Sequence, residues 1–313
     1  MTVRALRRPA RQGRRGLAAW AVITALCALL IGCATPPQPW ESRLSGNTLA
    51  LLGEVHDNAA QHRLRLDLLR RALGRGWRPA IAMEQFDIGR QRDIERARRE
   101  RPHDARYLIE RATATTPGGK PGAGWDWAFY EPYVALALAY DLPLLAANLP
   151  EADTRRIVHE GTAAVFDPAR RAVLGLDRPI AADWERAQEA EIESGHCGAL
   201  PASLLPRMAR AQFARDAVMA EVLRRHGAQG IVLLAGNGHV RRDLGVPRWL
   251  ADLGPRLFTL GLLEADNDET PPAAFDATLR TADAAREDPC AGFDPARLER
   301  QGVNHAPAPS PAR

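Results

Sequence analysis

The sequence predicts an α/β fold: a doubly wound, mostly parallel sheet flanked by helices, with a smaller helical insertion domain. Three observations predict it. Five apolar runs of strand length, at 48–54, 79–85, 142–148, 230–236 and 256–263, are near-continuous instead of alternating, as strands covered on both faces are. Amphipathic helical patterns separate them, giving the order of parallel strands joined by helical crossovers. Two further helical stretches, at about 88–112 and 152–200, interrupt that order as insertions.

The first element is not part of the fold. Arg4, Arg7, Arg8, Arg11, Arg14 and Arg15 form a basic region followed by an apolar segment from Leu17 to Ile31, which suits a secretory leader better than a membrane span. It ends Leu30-Ile31-Gly32-Cys33, similar to the lipobox of bacterial lipoproteins, so Cys33 is expected to be acylated after cleavage at 32. Two or more acyl chains would anchor the protein stably to a bilayer. The full chain carries +4; the leader holds six arginines and no acid, which leaves the mature protein at −2. The basic balance therefore belongs to the leader, and nucleic acid is excluded as a partner class. Residues 33–46 read as a tether, 47–300 as the folded domain, and 301–313, rich in Pro and Ala, as a disordered tail.

Within the domain, the run Leu49-Ala50-Leu51-Leu52 ends at Gly53 and is followed by Glu54, His56, Asp57 and Asn58. A helix from about Asn58 to Leu73 carries Leu64, Leu68 and Leu69 on one stripe and stops at Gly74. Glu84 and Gln85 close the second strand. Thr115–Gly124 reads as a mobile loop, and helices are expected at about 128–140, 203–226 and 243–253. Asn148 ends the third strand, and Gly236, Asn237 and His239 follow the fourth. Polar groups thus gather where four strands end, and in open α/β sheets ligands bind in the crevice beyond the strands' carboxyl ends.

Each residue has a plainer alternative. Asp57 and Asn58 are expected to be helix caps. Glu54 and His56, two apart on extended backbone, share a face and favour a functional role, whereas His62 is expected on the helix surface. Glu84 needs a partner, which Arg215, His56 or a metal would supply. Arg215-Asp216, in an apolar helix, suggests buried ion pairing. His239 follows glycines that permit close approach of a ligand. Cys197 and Cys290, alone after the leader and Cys33 are set aside, suggest a disulfide in an oxidising compartment; the competing reading is a thiol ligand at His196-Cys197. Five of the eighteen aromatics fall at Trp125, Trp127, Phe129, Tyr130 and Tyr133. Such a cluster serves as a wall for a porphyrin, with phenolate as a donor to ferric iron, or as a core clamp. Tyr130 and Tyr133 are the leading phenols; Tyr107 and Tyr140 are weaker ligand candidates.

Gly53-Glu54-Val55-His56-Asp57-Asn58, Ala82-Met83-Glu84-Gln85-Phe86-Asp87, Ala147-Asn148-Leu149-Pro150, His196-Cys197-Gly198, Ala214–Ala220 and Ala235–Asp243 occur in that order. Together they resemble the ChaN-like haem-binding lipoproteins of the haem-binding uptake/Tiki superfamily over roughly 46–295. The resemblance implies an erythromycin-esterase/ChaN-like fold and a lipid-anchored protein of haem and iron uptake, facing the periplasm. It implies haem as cofactor, held at a homodimer interface by tyrosinate with histidine near the propionates. An outer-membrane haem receptor is the implied partner. Ala34, where inner-membrane retention often uses aspartate, is in keeping with the outer membrane. The haem-binding set is then Tyr130, Tyr133, His56 and His239, with Glu54, Glu84, Gln85, Asn148, Arg215 and Asn237 lining the pocket. The second function is a metal-dependent hydrolase, an esterase or protease, using Glu54, His56, Glu84 and His239. No HExxH pair, GxSxG elbow or dinucleotide fingerprint supports it, and binding is the preferred reading.

Overall fold

The computed structural model describes residues 38–114, 124–265, 270–287 and 290–291. The leader, Cys33, the loop at 115–123 and the tail at 301–313 lie outside them. Among the described residues no helix is long and apolar enough to cross a membrane.

Six strands form one sheet: β1 (Leu49–Leu52), β2 (Ala80–Asp87), β3 (Leu144–Asn148), β4 (Ile231–Leu234), β5 (Leu257–Glu264) and β6 (Ala277–Thr281). Their order is β3-β2-β4-β1-β5-β6, and every pairing is parallel. The five expected strands are present. β6 was not expected; its partly exposed, alternating residues (ATLRT) lack the continuous apolarity that marks the others. β2 runs on to Asp87 with a register shift after Met83, so Glu84 and Gln85 lie inside an irregular strand and not beyond it.

The helices are α1 (Ala59–Gly74), α2 (Gln91–Glu100), α3 (Ala105–Thr113), α4 (Trp127–Ala139), α5 (Glu151–Glu160), α6 (Pro168–Leu174), α7 (Ala182–Gly195), α8 (Leu205–His226), α9 (Asn237–Val240) and α10 (Val246–Trp249). The expected helix at 243–253 is instead the single turn α10 followed by a 3-10 segment, Ala251–Arg256, broken at Gly254 and Pro255.

Strand alternation assigns the layers. Ala50, Leu52, Ile81, Met83, Val232 and Leu234 join a core with α1 to α4. Their neighbours Leu49, Leu51, Ala80, Ala82, Ile231 and Leu233 join a second core with α8 and the segment from α9 to α10. The two insertions therefore do not merge. The first, α2 and α3, belongs to the former core, while α5 and α6 build a smaller cluster against α8. The folded part also begins earlier than expected, within the stretch read as a tether. Trp40 stacks on Phe258 with ring centroids 5.7 Å apart, Leu44 is buried, and buried Glu41 accepts from Arg71 at 3.1 Å.

The connection after β2 leads outward to β3, whereas that after β4 crosses β1 to reach β5. The boundary between β2 and β4 is thus a switch point of the sheet, where the chain leaves in opposite directions.

Candidate functional site

Two buried carboxylates lie at this end of the sheet, one on each face. Glu54 has the parity of Ala50 and Leu52 and turns toward α1 and α4; Glu84 has the parity of Ala82 and turns toward α8.

Glu54 is ion-paired to Arg65, itself fully buried, and accepts a hydrogen bond from the Tyr130 hydroxyl at 2.7 Å. His62 Nδ1 lies 3.2 Å from its other oxygen. Arg65 donates to the Leu52 carbonyl at 3.1 Å and to the Tyr133 hydroxyl at 3.2 Å, and that hydroxyl donates to the His62 carbonyl at 2.7 Å. Burial opposes ionisation of Glu54, yet Arg65, His56 and His62 together hold its pKa below the usual carboxylate value. The group is an ionised acceptor with its lone pairs largely consumed by donors.

Glu84 accepts from Arg215 at 2.7 Å and from the Gly236 amide at 2.8 Å, with His239 Nε2 at 3.3 Å. His239 Nδ1 lies 2.5 Å from Asp216, and Arg215 reaches Asn148 at 3.0 Å and Gln212 at 3.1 Å. Burial again opposes charge on Glu84, but His239 and Arg215 hold its pKa well below normal. Burial and the Arg215 charge also oppose protonation of His239; Glu84 and Asp216 outweigh them and push its pKa up to about 9. A carboxylate at each ring nitrogen makes this imidazole a buried cation near neutrality.

His56 sits at the seam. Its Nδ1 is 3.0 Å from Glu54, and its Cε1–Nε2 edge lies over Gly236, where a Cβ would come within 2.9 Å. An ionised carboxylate only accepts, so Nδ1 carries a proton, and Nε2 offers its lone pair when the ring is neutral. The His56 side chain is 48 % exposed, against 0–5 % for Glu54, Glu84 and His239. Trp125 meets it edge-on at 4.9 Å between ring centroids. Burial works against protonation of His56, but the Glu54 hydrogen bond and the Glu84 charge raise its pKa overall. This is an oriented, half-exposed imidazole, of the kind that serves as a metal ligand or a general base.

Several expectations change. Tyr130 and Tyr133 are 1 % and 0 % exposed, and both hydroxyls are engaged in the core. Burial and the Glu54 charge push the Tyr130 phenol's pKa far upward, so it stays a neutral donor away from any wall open to iron. Tyr107 bonds Glu100, and Tyr140 lies beneath Arg78. His239 is clamped between two acids and offers no lone pair. His62 is buried, not on the helix surface. Asn58 is the cap expected of it, accepting from the Ala60 and Gln61 amides at 3.1 Å. Asn237 is structural: it ties to Leu262 from both sides of its amide, and Gly53 leaves room for it. Asn148 and Arg215 join the Glu84 cluster. Gln85 is buried with both amide atoms unpartnered among the described residues, as is the Trp127 indole nitrogen. The disulfide between Cys197 and Cys290 is formed, so no thiol is left at 197 to act as a ligand.

Arg65, Gln61 and Gln212 were not anticipated. Arg65 falls on the stripe of Leu68, Leu69 and Ala72, and that helical spacing was the signal available for it. Among the described residues no three or more His, Cys, Asp or Glu side chains are arranged to hold a metal ion. Of the expected haem-binding side chains, His56 alone combines an exposed ring with a fixed orientation, and Trp125 lies beside it.

The family model described as "Haem-binding uptake, Tiki superfamily, ChaN" matches residues 41–250. The chain is similar to a solved structure titled "Cofacial heme binding to ChaN of Campylobacter jejuni", with TM-score 0.58 and 19 % identity, covering 75 % of this chain and 87 % of that one. A mutant erythromycin esterase in its open conformation gives TM-score 0.40 at 13 % identity, over 73 % and 74 % of the two chains. None of the curated proteins matches. With the matched region spanning most of the folded domain and the parallel sheet in common, the chain belongs to the haem-binding uptake (Tiki superfamily, ChaN) family.

Proposed function

We propose that this protein binds haem at the carboxyl ends of the strands, where His56, beside Gly236, would hold the iron. The observation that carries the reading is the half-exposed His56 imidazole with its Nδ1 held by ionised Glu54. Such a carboxylate partner fixes the ring and strengthens its free nitrogen as a donor. Trp125 supplies an aromatic edge for the porphyrin. Bound haem iron supplies a Lewis-acidic centre; this chain's residues bind and orient it. Because His56 lies at an open rim, a second surface is required to cover the outer porphyrin face. A second copy of the chain is the cover proposed here, in keeping with the cofacial haem named for the Campylobacter jejuni protein.

Hemin titration followed in the visible spectrum tests this. A saturable Soret shift is expected, weakened at least about tenfold by His56→Ala and retained in Tyr130→Phe. Loss in Tyr130→Phe with retention in His56→Ala would restore the phenol as ligand and reject the present assignment.

The surrounding role follows the same reading: a lipoprotein acylated at Cys33, facing the periplasm on the outer membrane, receiving or delivering haem at a receptor. Labelled palmitate should enter the wild-type chain and not Cys33→Ser; equal labelling of both rejects acylation there.

One observation also suits hydrolysis, since the Glu54–His56 pair has the form of an oriented general base. Turnover of simple esters abolished by His56→Ala, in protein that takes up no hemin, would favour that reading over carriage.

A further inference from the structure

The second insertion contains a cavity unrelated to the strand-end site. It measures about 410 Å³, within the range of small-molecule sites, and lies between α6, α7, α8 and α10. On α8 its wall is formed by residues 217, 220, 221 and 224, a helical stripe distinct from the face that carries Gln212, Arg215 and Asp216.

The floor is aromatic. Trp184 and Trp249 meet at 5.3 Å between ring centroids, with Ile180 beside them, and Val173 at the rim is 68 % exposed. The rim is cationic in a specific way. The acids nearby are already used: Glu221 binds Arg170 and Arg225, and Asp252 binds Arg224. Arg178 has no ion pair or hydrogen bond among the described residues. Arg248 spreads its guanidinium over the Trp184 ring, 4.5 Å from the centroid, without a carboxylate partner there. A stacked guanidinium is held in place by the ring while its N–H groups remain free to donate.

We propose that this cavity binds an amphiphilic monoanion of the medium-chain carboxylate class, its apolar body over Trp184 and Trp249 and its head group between Arg178 and Arg248. An uncharged apolar ligand would leave both arginines unused. A small inorganic anion would leave the aromatic floor and exposed Val173 uncovered. A ligand with both parts satisfies the two halves of the site.

Equilibrium dialysis of radiolabelled decanoate against the full chain tests this, with variant proteins under identical conditions as the reference for partitioning. Saturable uptake of one decanoate per chain is expected, with affinity falling about fourfold for each methylene removed toward octanoate. Arg178→Ala combined with Arg248→Ala should weaken it at least about tenfold, and Val173→Glu should weaken it through the apolar half. All three positions are at the surface, so circular dichroism should be unchanged. Non-saturable uptake, uptake in either variant equal to that of the wild type, or decanol binding as tightly as decanoate would each overturn the proposal.

Discussion

His239 holds its proton because Glu84 and Asp216 approach its two ring nitrogens, and this makes the fold's stability depend on pH in a stated direction. Its folded pKa, about 9, lies above the ordinary 6.5, so its contribution is complete below about pH 6.5 and disappears as pH rises through 9. Glu84 has the opposite sign: its pKa is lowered well below 4.5, so its contribution is present above that value and lost as pH falls. Between these limits the Glu84–His239 pair stabilises the protein most. Urea unfolding should show stability declining from pH 6.5 to 9.5 in the wild type. His239→Gln should be less stable at pH 6 and nearly flat over the same interval. An alkaline decline of equal slope in His239→Gln would assign the effect to other groups. Arg65 makes a parallel point about burial. With the Glu54 charge removed, a fully buried guanidinium would lose its counter-ion, which costs about 3–5 kcal/mol; the pair is therefore structural as well as electrostatic support for His56.

At the scale of elements, the turn from β1 into α1 carries the site. Asn58 caps α1 through its side-chain oxygen, while its amide nitrogen donates to Glu264 at 2.8 Å and to the Ala282 carbonyl at 2.9 Å. Gln61, three residues on, reaches back to the Val55 amide at 2.7 Å, a variant of the reciprocal capping arrangement. Asn58→Ala should cost about 1–2 kcal/mol for the cap, and more for the polar atoms of Glu264 and Ala282 left behind. Chemical denaturation measures the sum; a loss below about 0.5 kcal/mol would show that the cap bonds contribute little. The same turn shows what could be read from the residue order. Near-continuous apolarity revealed β1 to β5 because both their faces are covered, and it missed β6 because an edge strand with one wet face does not have that signature. Strand ends located Glu54, Glu84 and His56. Residue order puts His62 on the helix surface and gives Arg65 no distinction, although both are buried: a buried ion looks like a surface ion until its partner from another element is known. The bond from the Tyr130 hydroxyl to Glu54 is hidden for a related reason: sequence gives an aromatic's size and not which way its hydroxyl faces.

For the molecule as a whole, the disulfide closes the chain over a sequence separation of 93 residues, from the turn after α7 to the segment beyond β6. That segment is not loosely attached. The Ala284 amide donates to Glu264 at 2.7 Å, and Arg286 pairs with Asp57 at 2.5 Å and with Glu264. It thus runs from the rim beside His56 to a covalent tie on the helical annex. Exposed ion pairs alone contribute little, so the tie is what limits how far the unfolded chain can spread. A cross-link of this span stabilises by about 2–4 kcal/mol, mainly by restricting the unfolded ensemble. Cys197→Ser with Cys290→Ser should therefore unfold at lower urea concentration. Its dependence on urea should also be steeper, because the released chain exposes more surface on unfolding. A dithiol reductant should reproduce both changes in the wild type and neither in the double variant. Coincident unfolding curves for all of these would mean that the segment beyond β6 is held by its hydrogen bonds and ion pairs alone.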